Sequence, residues 1–162
     1  MKKLLLLRHA KSSWDDASIP DHDRPLNRRG KQNAMEIGKY LKERKIIPEQ
    51  IISSTANRAH ETAKLVALNS GYRNRVKTSI SLYEASFKDY VLLIQNIDDT
   101  YKIILIIGHN PILESILEKI TGELHVMKTC SLAHIDLPID NWKKFNNGMK
   151  GTLVDLIRVR EL

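Results

Sequence analysis

Three short aliphatic runs, residues 3–7, 51–54 and 102–107, constrain this chain more than any other feature. Each is too short for a helix and shows no polar alternation, so each reads as a strand buried on both faces. Such strands belong to parallel sheets covered by helices on either side. A helical pattern follows each run. Beyond Asn27, an N-cap residue, Ala34, Ile37, Gly38 and Leu41 recur at i, i+3, i+4 and i+7. A second helix spans about residues 57–69, with Ala59, Ala63, Val66 and Ala67 inward and Gly71 as its stop. Ser86 and Asp89 form a capping-box pair ahead of Tyr90, Leu93, Ile94 and Ile97. Asn110-Pro111 reads as an N-cap and first-turn pair leading to Leu113, Ile116, Leu117 and Ile120.

Residues 76–82, 132–137 and 152–159 have strand character, so strands and helices alternate along most of the chain. That order predicts an α/β fold, a three-layer α/β/α sandwich with a largely parallel central sheet. The segment 138–151 reads as a surface excursion. With 162 residues, 42% of them hydrophobic, and no linker or repeat, the expectation is one domain over residues 1–162.

No apolar run reaches the roughly 18 to 20 residues that cross a bilayer, and Leu4–Leu7 follows Met-Lys-Lys without a cleavage site. The expectation is a cytoplasmic protein without a membrane partner. Cys130, the sole cysteine, has no disulfide partner, which suits a reducing compartment, and reads as a small core residue. The net charge of +7 is spread along the chain with neither aromatic stacking motifs nor a helix-turn-helix pattern, which argues against nucleic acid.

In open α/β sheets, ligands bind beyond the carboxyl ends of the strands. The first run ends in Arg8-His9, the second leads through Ser53-Ser54 to Arg58, and the third ends in Gly108-His109. Two arginines and two histidines delivered to one sheet edge suit a phosphoryl group, because guanidinium forks match phosphate oxygens and keep their charge at neutral pH. Two helix N-termini nearby add backbone donors.

These residues also carry a resemblance. The run Leu7-Arg8-His9-Ala10-Lys11-Ser12-Ser13-Trp14 resembles the Arg-His-Gly opening of the histidine phosphatase, or phosphoglycerate mutase-like, superfamily. Arg24-Pro25-Leu26-Asn27-Arg28-Arg29-Gly30, Arg58-Ala59-His60-Glu61-Thr62-Ala63 and Gly108-His109-Asn110-Pro111 are similar to its later motifs and follow in the same order. The resemblance implies the phosphoglycerate mutase-like fold, with His9 as nucleophile and Arg8, Arg58 and His109 binding the phosphate. Glu84, in Leu82-Tyr83-Glu84-Ala85, looks like the proton donor of mutase-like members. The Arg-Pro-Leu segment is most similar to the SixA-type phosphohistidine phosphatases.

Three positions depart from the family pattern. Ala10 replaces a glycine and remains small. Thr55 replaces a proline and is expected to help cap the helix bearing Arg58. Asp15 stands where mutases often carry asparagine; a carboxylate facing a phosphate dianion is repelled, so Asp15 is expected to point away or to pair with Lys11 or Arg24. His22, His60, His125 and His134 enter no constellation, and His60 is expected to face solvent. No metal-ligand spacing occurs, so no metal or other cofactor is expected.

The leading expectation is a metal-independent phosphatase acting on a phosphorylated protein, a protein phosphohistidine first, or on a small phosphomonoester. A mutase, a non-catalytic phosphate-binding module and a nucleic-acid-binding domain are the competing classes.

Overall fold

The computed structural model describes residues 1–162. Its sheet contains β1 (Lys2–Arg8), β2 (Gln50–Ser54), β3 (Lys77–Ser79), β4 (Ile103–Gly108), β5 (Leu132–Leu137) and β6 (Thr152–Ile157), in the order β3-β2-β4-β1-β5-β6. Strands β3, β2, β4 and β1 are mutually parallel, whereas β5 is antiparallel to both β1 and β6. Only β5 therefore runs against the rest.

The three aliphatic runs become the adjacent strands β2, β4 and β1. Their residues alternate between two cores. Leu5, Leu7, Ile51, Leu105 and Ile107 pack under α1 (Arg28–Glu43) and α2 (Asn57–Ser70). Leu4, Leu6, Ile52, Ile104 and Ile106 pack under α3 (Phe87–Gln95) and α4 (Ile112–Thr121). Burial on both faces removes the polar alternation that a one-sided strand needs. The fold is α/β in three layers. None of its helices is long and apolar enough to cross a membrane.

The helices α1 and α2 approach closely because Gly38 has no side chain. A Cβ there would lie 2.7 Å from Asn69 Cβ and 2.8 Å from the Val66 carbonyl oxygen. The cap of α1 is as expected, Asn27 Oδ1 accepting from the Gly30 N–H at 2.8 Å, and the Ser86–Asp89 capping box of α3 forms in both directions.

Four details differ from the sequence reading. The third strand is shorter, Lys77–Ser79, because the chain turns at Ile80–Leu82 to bury Leu82. Helix α4 begins at Ile112, and Asn110 does not cap it; the Asn110 amide instead donates to the Met127 carbonyl at 2.8 Å. Thr55 does not cap α2 either, because its hydroxyl is bonded to His22 Nε2 at 2.9 Å. The segment 138–151 is no loose excursion. Trp142 and Phe145 are fully buried in the α3/α4 core, and Trp142 Nε1 donates to the Tyr101 carbonyl at 2.8 Å. Two large aromatics within four residues outweigh the turn-forming neighbours that suggested a loop.

Candidate active site

Register explains why the site forms where it does. Arg8 lies opposite Gly108 in the β1–β4 pair and Ser53 lies opposite Ile107 in the β2–β4 pair, so three carboxyl ends open at one edge of the sheet. His9 leaves β1, His109 leaves β4, and Ser54 closes β2 between them and the first turn of α2, which carries Arg58. Around these residues lies an open cleft of about 630 Å³ that also meets Glu84, Asp21, Arg24, Tyr83 and Trp14. Arg8, His9, Arg58, His109 and Glu84 thus meet in one place.

The His9 ring is oriented by its neighbours. Nδ1 donates to the Ala10 carbonyl oxygen at 2.7 Å, which can only accept, so the proton of the neutral ring resides on Nδ1. Nε2 keeps its lone pair and accepts from Arg58 Nε at 3.4 Å. Burial is the main cause that lowers the His9 pKa to about 3; the hydrogen bond to Ala10 opposes it, and His109, Arg58 and Arg8 add to the lowering. The loop after His9 is pinned on α1 at Gly30, where any Cβ would collide with the Lys11 carbonyl. Thr62 Oγ1 accepts from the Ala10 N–H at 3.0 Å.

The His109 Nε2 is 2.9 Å from Ser54 Oγ, which also accepts from the Ala56 N–H at 3.2 Å. Nδ1 of this imidazole is a buried atom with no protein partner. Burial again leads in lowering its pKa, to about 4, followed by the positive charge of Arg58. The two imidazole centroids are 5.1 Å apart. The Arg8 guanidinium donates to the Met127 carbonyl at 3.0 Å; burial lowers its pKa, and Glu114 opposes that.

The carboxylate paired with the arginines of this site is Asp21, which the sequence reading missed. Asp15 is exposed and outside the cleft, and it pairs with neither Lys11 nor Arg24. Asp21 Oδ1 meets Arg24 Nη2 at 3.1 Å, and Asp21 Oδ2 meets Arg58 Nη2 at 3.2 Å and accepts from the Tyr83 hydroxyl at 2.6 Å. The Tyr83 hydrogen bond is the largest cause holding the Asp21 pKa down to about 2; Arg24 and Arg58 reinforce it. Tyr83 stands edge-on to both His22 and His109, with centroids 4.9 and 5.7 Å away. His22 therefore borders the site, whereas His60 is half-buried on α2 rather than freely exposed. One signal could have found Asp21. The connection between β1 and α1 is much longer than the roughly two to six residues usual for a βα loop, and such loops carry functional side chains. Glu84 stands exposed at the cleft wall with a left-handed backbone, φ 58°.

A model of the histidine phosphatase superfamily, branch 1, matches residues 4–102. The chain belongs to the histidine phosphatase superfamily. Among its relatives is an uncharacterized chloroplastic protein of Arabidopsis thaliana, 34% identical over 152 residues, which are 88% of this chain and 70% of that one. The fold of this superfamily member is similar to a crystal structure assigned to the phosphohistidine phosphatase SixA of Agrobacterium tumefaciens, with TM-score 0.82, 28% identity and 97% of each chain covered. It also matches the protein histidine phosphatase SixA complexed with tungstate, with TM-score 0.83, 20% identity and 98% of each chain covered. The phosphoglycerate mutase-like architecture expected from the motifs is the one observed.

The two depressed histidine pKa values have a consequence for stability. Unfolded, both imidazoles titrate near their ordinary 6.5; folded, they titrate near 3 and 4, so the unfolded chain binds more protons between these limits. Their contribution is complete above pH 6.5 and is lost as the pH falls toward the folded values. Thermal unfolding followed from pH 7.5 to about pH 4.5 should show Tm falling, with a shallower fall in His109→Asn, which has no imidazole to protonate. Equal slopes for the two proteins would show that His109 does not supply the linkage.

Proposed function

We propose that this protein is a phosphatase that works through a covalent phosphohistidine on His9, with a protein phosphohistidine as its favoured substrate. The observation that carries the reading is the His9 ring, neutral, held by Ala10 through Nδ1, and presenting the Nε2 lone pair beside the Arg58 guanidinium. A ring that is not protonated at neutral pH can attack phosphorus in line. One displacement is then split into two easier ones.

In the first step a bond forms between Nε2 and phosphorus while the bond to the leaving group breaks. The negative charge on the phosphoryl oxygens is met by Arg8 and Arg58, with the His109 imidazole beside them, groups already in place before the substrate arrives. Glu84, exposed in the cleft lining, is the candidate to protonate a leaving group. An imidazole leaving group needs this help less than an alkoxide does. In the second step water attacks phosphorus, the Nε2–P bond breaks, and inorganic phosphate departs.

The open mouth of the cleft supports a side chain projecting from another protein as the substrate. The arginines supply the positive charge that divalent ions supply in other phosphatases, which supports a reaction without metal. A brief incubation with p-nitrophenyl phosphate labelled in its phosphoryl group, in excess chelator and quenched in alkali, should leave label on His9. That label should be stable in alkali and lost in acid, as a phosphoramidate is. Label on Ser12 or Ser54, or turnover that disappears with chelation and returns with a divalent ion, would overturn the proposal.

A further inference from the structure

Five of the basic residues that look scattered along the sequence come together in space. A shallow groove of about 210 Å³ runs on from the cleft, and Lys11 and Thr129 line both. Five cations meet in it from four parts of the chain. Lys11 follows β1, Arg29 lies in the first turn of α1, Lys128 precedes β5, and Arg158 and Arg160 lie beyond β6. Arg158 is paired with Glu161 at 3.7 Å and donates to the Val126 carbonyl. The other four are exposed and take part in no ion pair.

Four unpaired cations side by side repel one another and raise the local potential, which favours an anionic partner. The lining tells which kind. It contains no aromatic residue, so no base has a stacking platform. Its charges stand at the ends of exposed, flexible side chains rather than in a buried cage, so they match a spread of carboxylates better than a small molecule of fixed shape. The shared wall at Lys11 means that a ligand with its phosphoryl group in the cleft continues over the groove.

We infer that this groove docks an acidic surface of the phosphorylated protein substrate, placing the phosphorylated side chain at His9. The inference deepens the proposed phosphatase reading and rests on it for the phosphoryl group in the cleft. It does not depend on which side chain carries that group.

Two peptides of equal length with one phosphohistidine test it, one flanked by Asp and Glu and the other by Ser and Gly, alongside p-nitrophenyl phosphate. The wild-type protein should turn over the acidic peptide with a kcat/KM roughly tenfold above that of the neutral one at low ionic strength, and the preference should vanish near about 0.5 M salt. The variant Arg29→Glu/Lys128→Glu/Arg160→Glu, which leaves every cleft residue in place, should lose the preference and keep its activity on the neutral peptide and on p-nitrophenyl phosphate. No wild-type preference, or one that survives the triple variant, overturns the groove, as does an equal loss on all three substrates. Fluorescence anisotropy of the labelled acidic peptide separates this claim from the phosphatase reading, because it needs no turnover. Binding lost in the triple variant upholds the groove even if hydrolysis fails, whereas tighter binding of a single-stranded RNA oligonucleotide than of the acidic peptide overturns it.

Discussion

His9→Ala should lower kcat/KM for p-nitrophenyl phosphate by roughly 10⁴-fold or more, because loss of a nucleophile removes the covalent route while the rest of the site still binds phosphate. The backbone at this position is held independently of the imidazole, with the His9 N–H donating to the Gly108 carbonyl at 3.0 Å. A folded variant is therefore expected, and its circular dichroism and thermal unfolding should remain cooperative. Inorganic phosphate should still bind, since Arg8, Arg58 and His109 are intact. Near-normal turnover in a folded His9→Ala protein would remove His9 from the chemistry. A variant that neither turns over nor binds phosphate would place the effect on the site's shape instead.

The parts of this protein that were legible in the sequence are those where local pattern and tertiary role coincide. The runs of β1, β2 and β4 lack polar alternation because helices cover both faces of the sheet. The helix α1 declares itself through Asn27 and its apolar stripe, and α3 through the Ser86–Asp89 box. Strand direction is different. A buried strand has the same composition whichever way it runs, so nothing in Leu132–Leu137 announces that β5 opposes β1. Trp142 and Phe145 likewise sit among Asn, Pro, Asp and Lys, and only the tertiary structure shows that they belong to the α3/α4 core.

The same distinction holds in the site. Arg8 ends a strand, His9 and His109 follow strands and Arg58 lies in the first turn of a helix, so the sheet edge could be foreseen from the chain order. Asp21 and Tyr83 arrive on connections, where no periodicity fixes which side chain turns inward. Asp15, Asp16, Asp21 and Asp23 all lie in the connection between β1 and α1, and spacing alone does not separate them. What selects Asp21 is the convergence of Arg24, Arg58 and Tyr83 on its carboxylate. The groove of Lys11, Arg29, Lys128 and Arg160 was hidden for a related reason. Its members are far apart in the chain and meet only through the crossings of the fold.

Arg58→Ala should lower kcat/KM for p-nitrophenyl phosphate by about 10²- to 10³-fold, the range for removing one preorganised donor from a developing anion. Two effects combine in that loss. The donor opposite His9 Nε2 disappears, and Asp21 loses the guanidinium that both accepts part of its charge and, through Arg58 Nη1 and the Asp21 carbonyl at 2.8 Å, holds the loop over the cleft. A carboxylate whose pKa stays low because Tyr83 and Arg24 still bind it remains ionised, and it then repels the incoming phosphate dianion with less compensation. Adding Asp21→Asn to Arg58→Ala should therefore recover about tenfold of the lost kcat/KM, since the amide keeps the shape and removes the charge. Asp21→Asn alone should have the opposite sign and reduce activity, because Arg58 would lose the partner that positions it. A double-mutant cycle on one preparation series, with kcat/KM as the readout, measures this coupling. Simple additivity of the two substitutions would mean that Asp21 and Arg58 are not coupled.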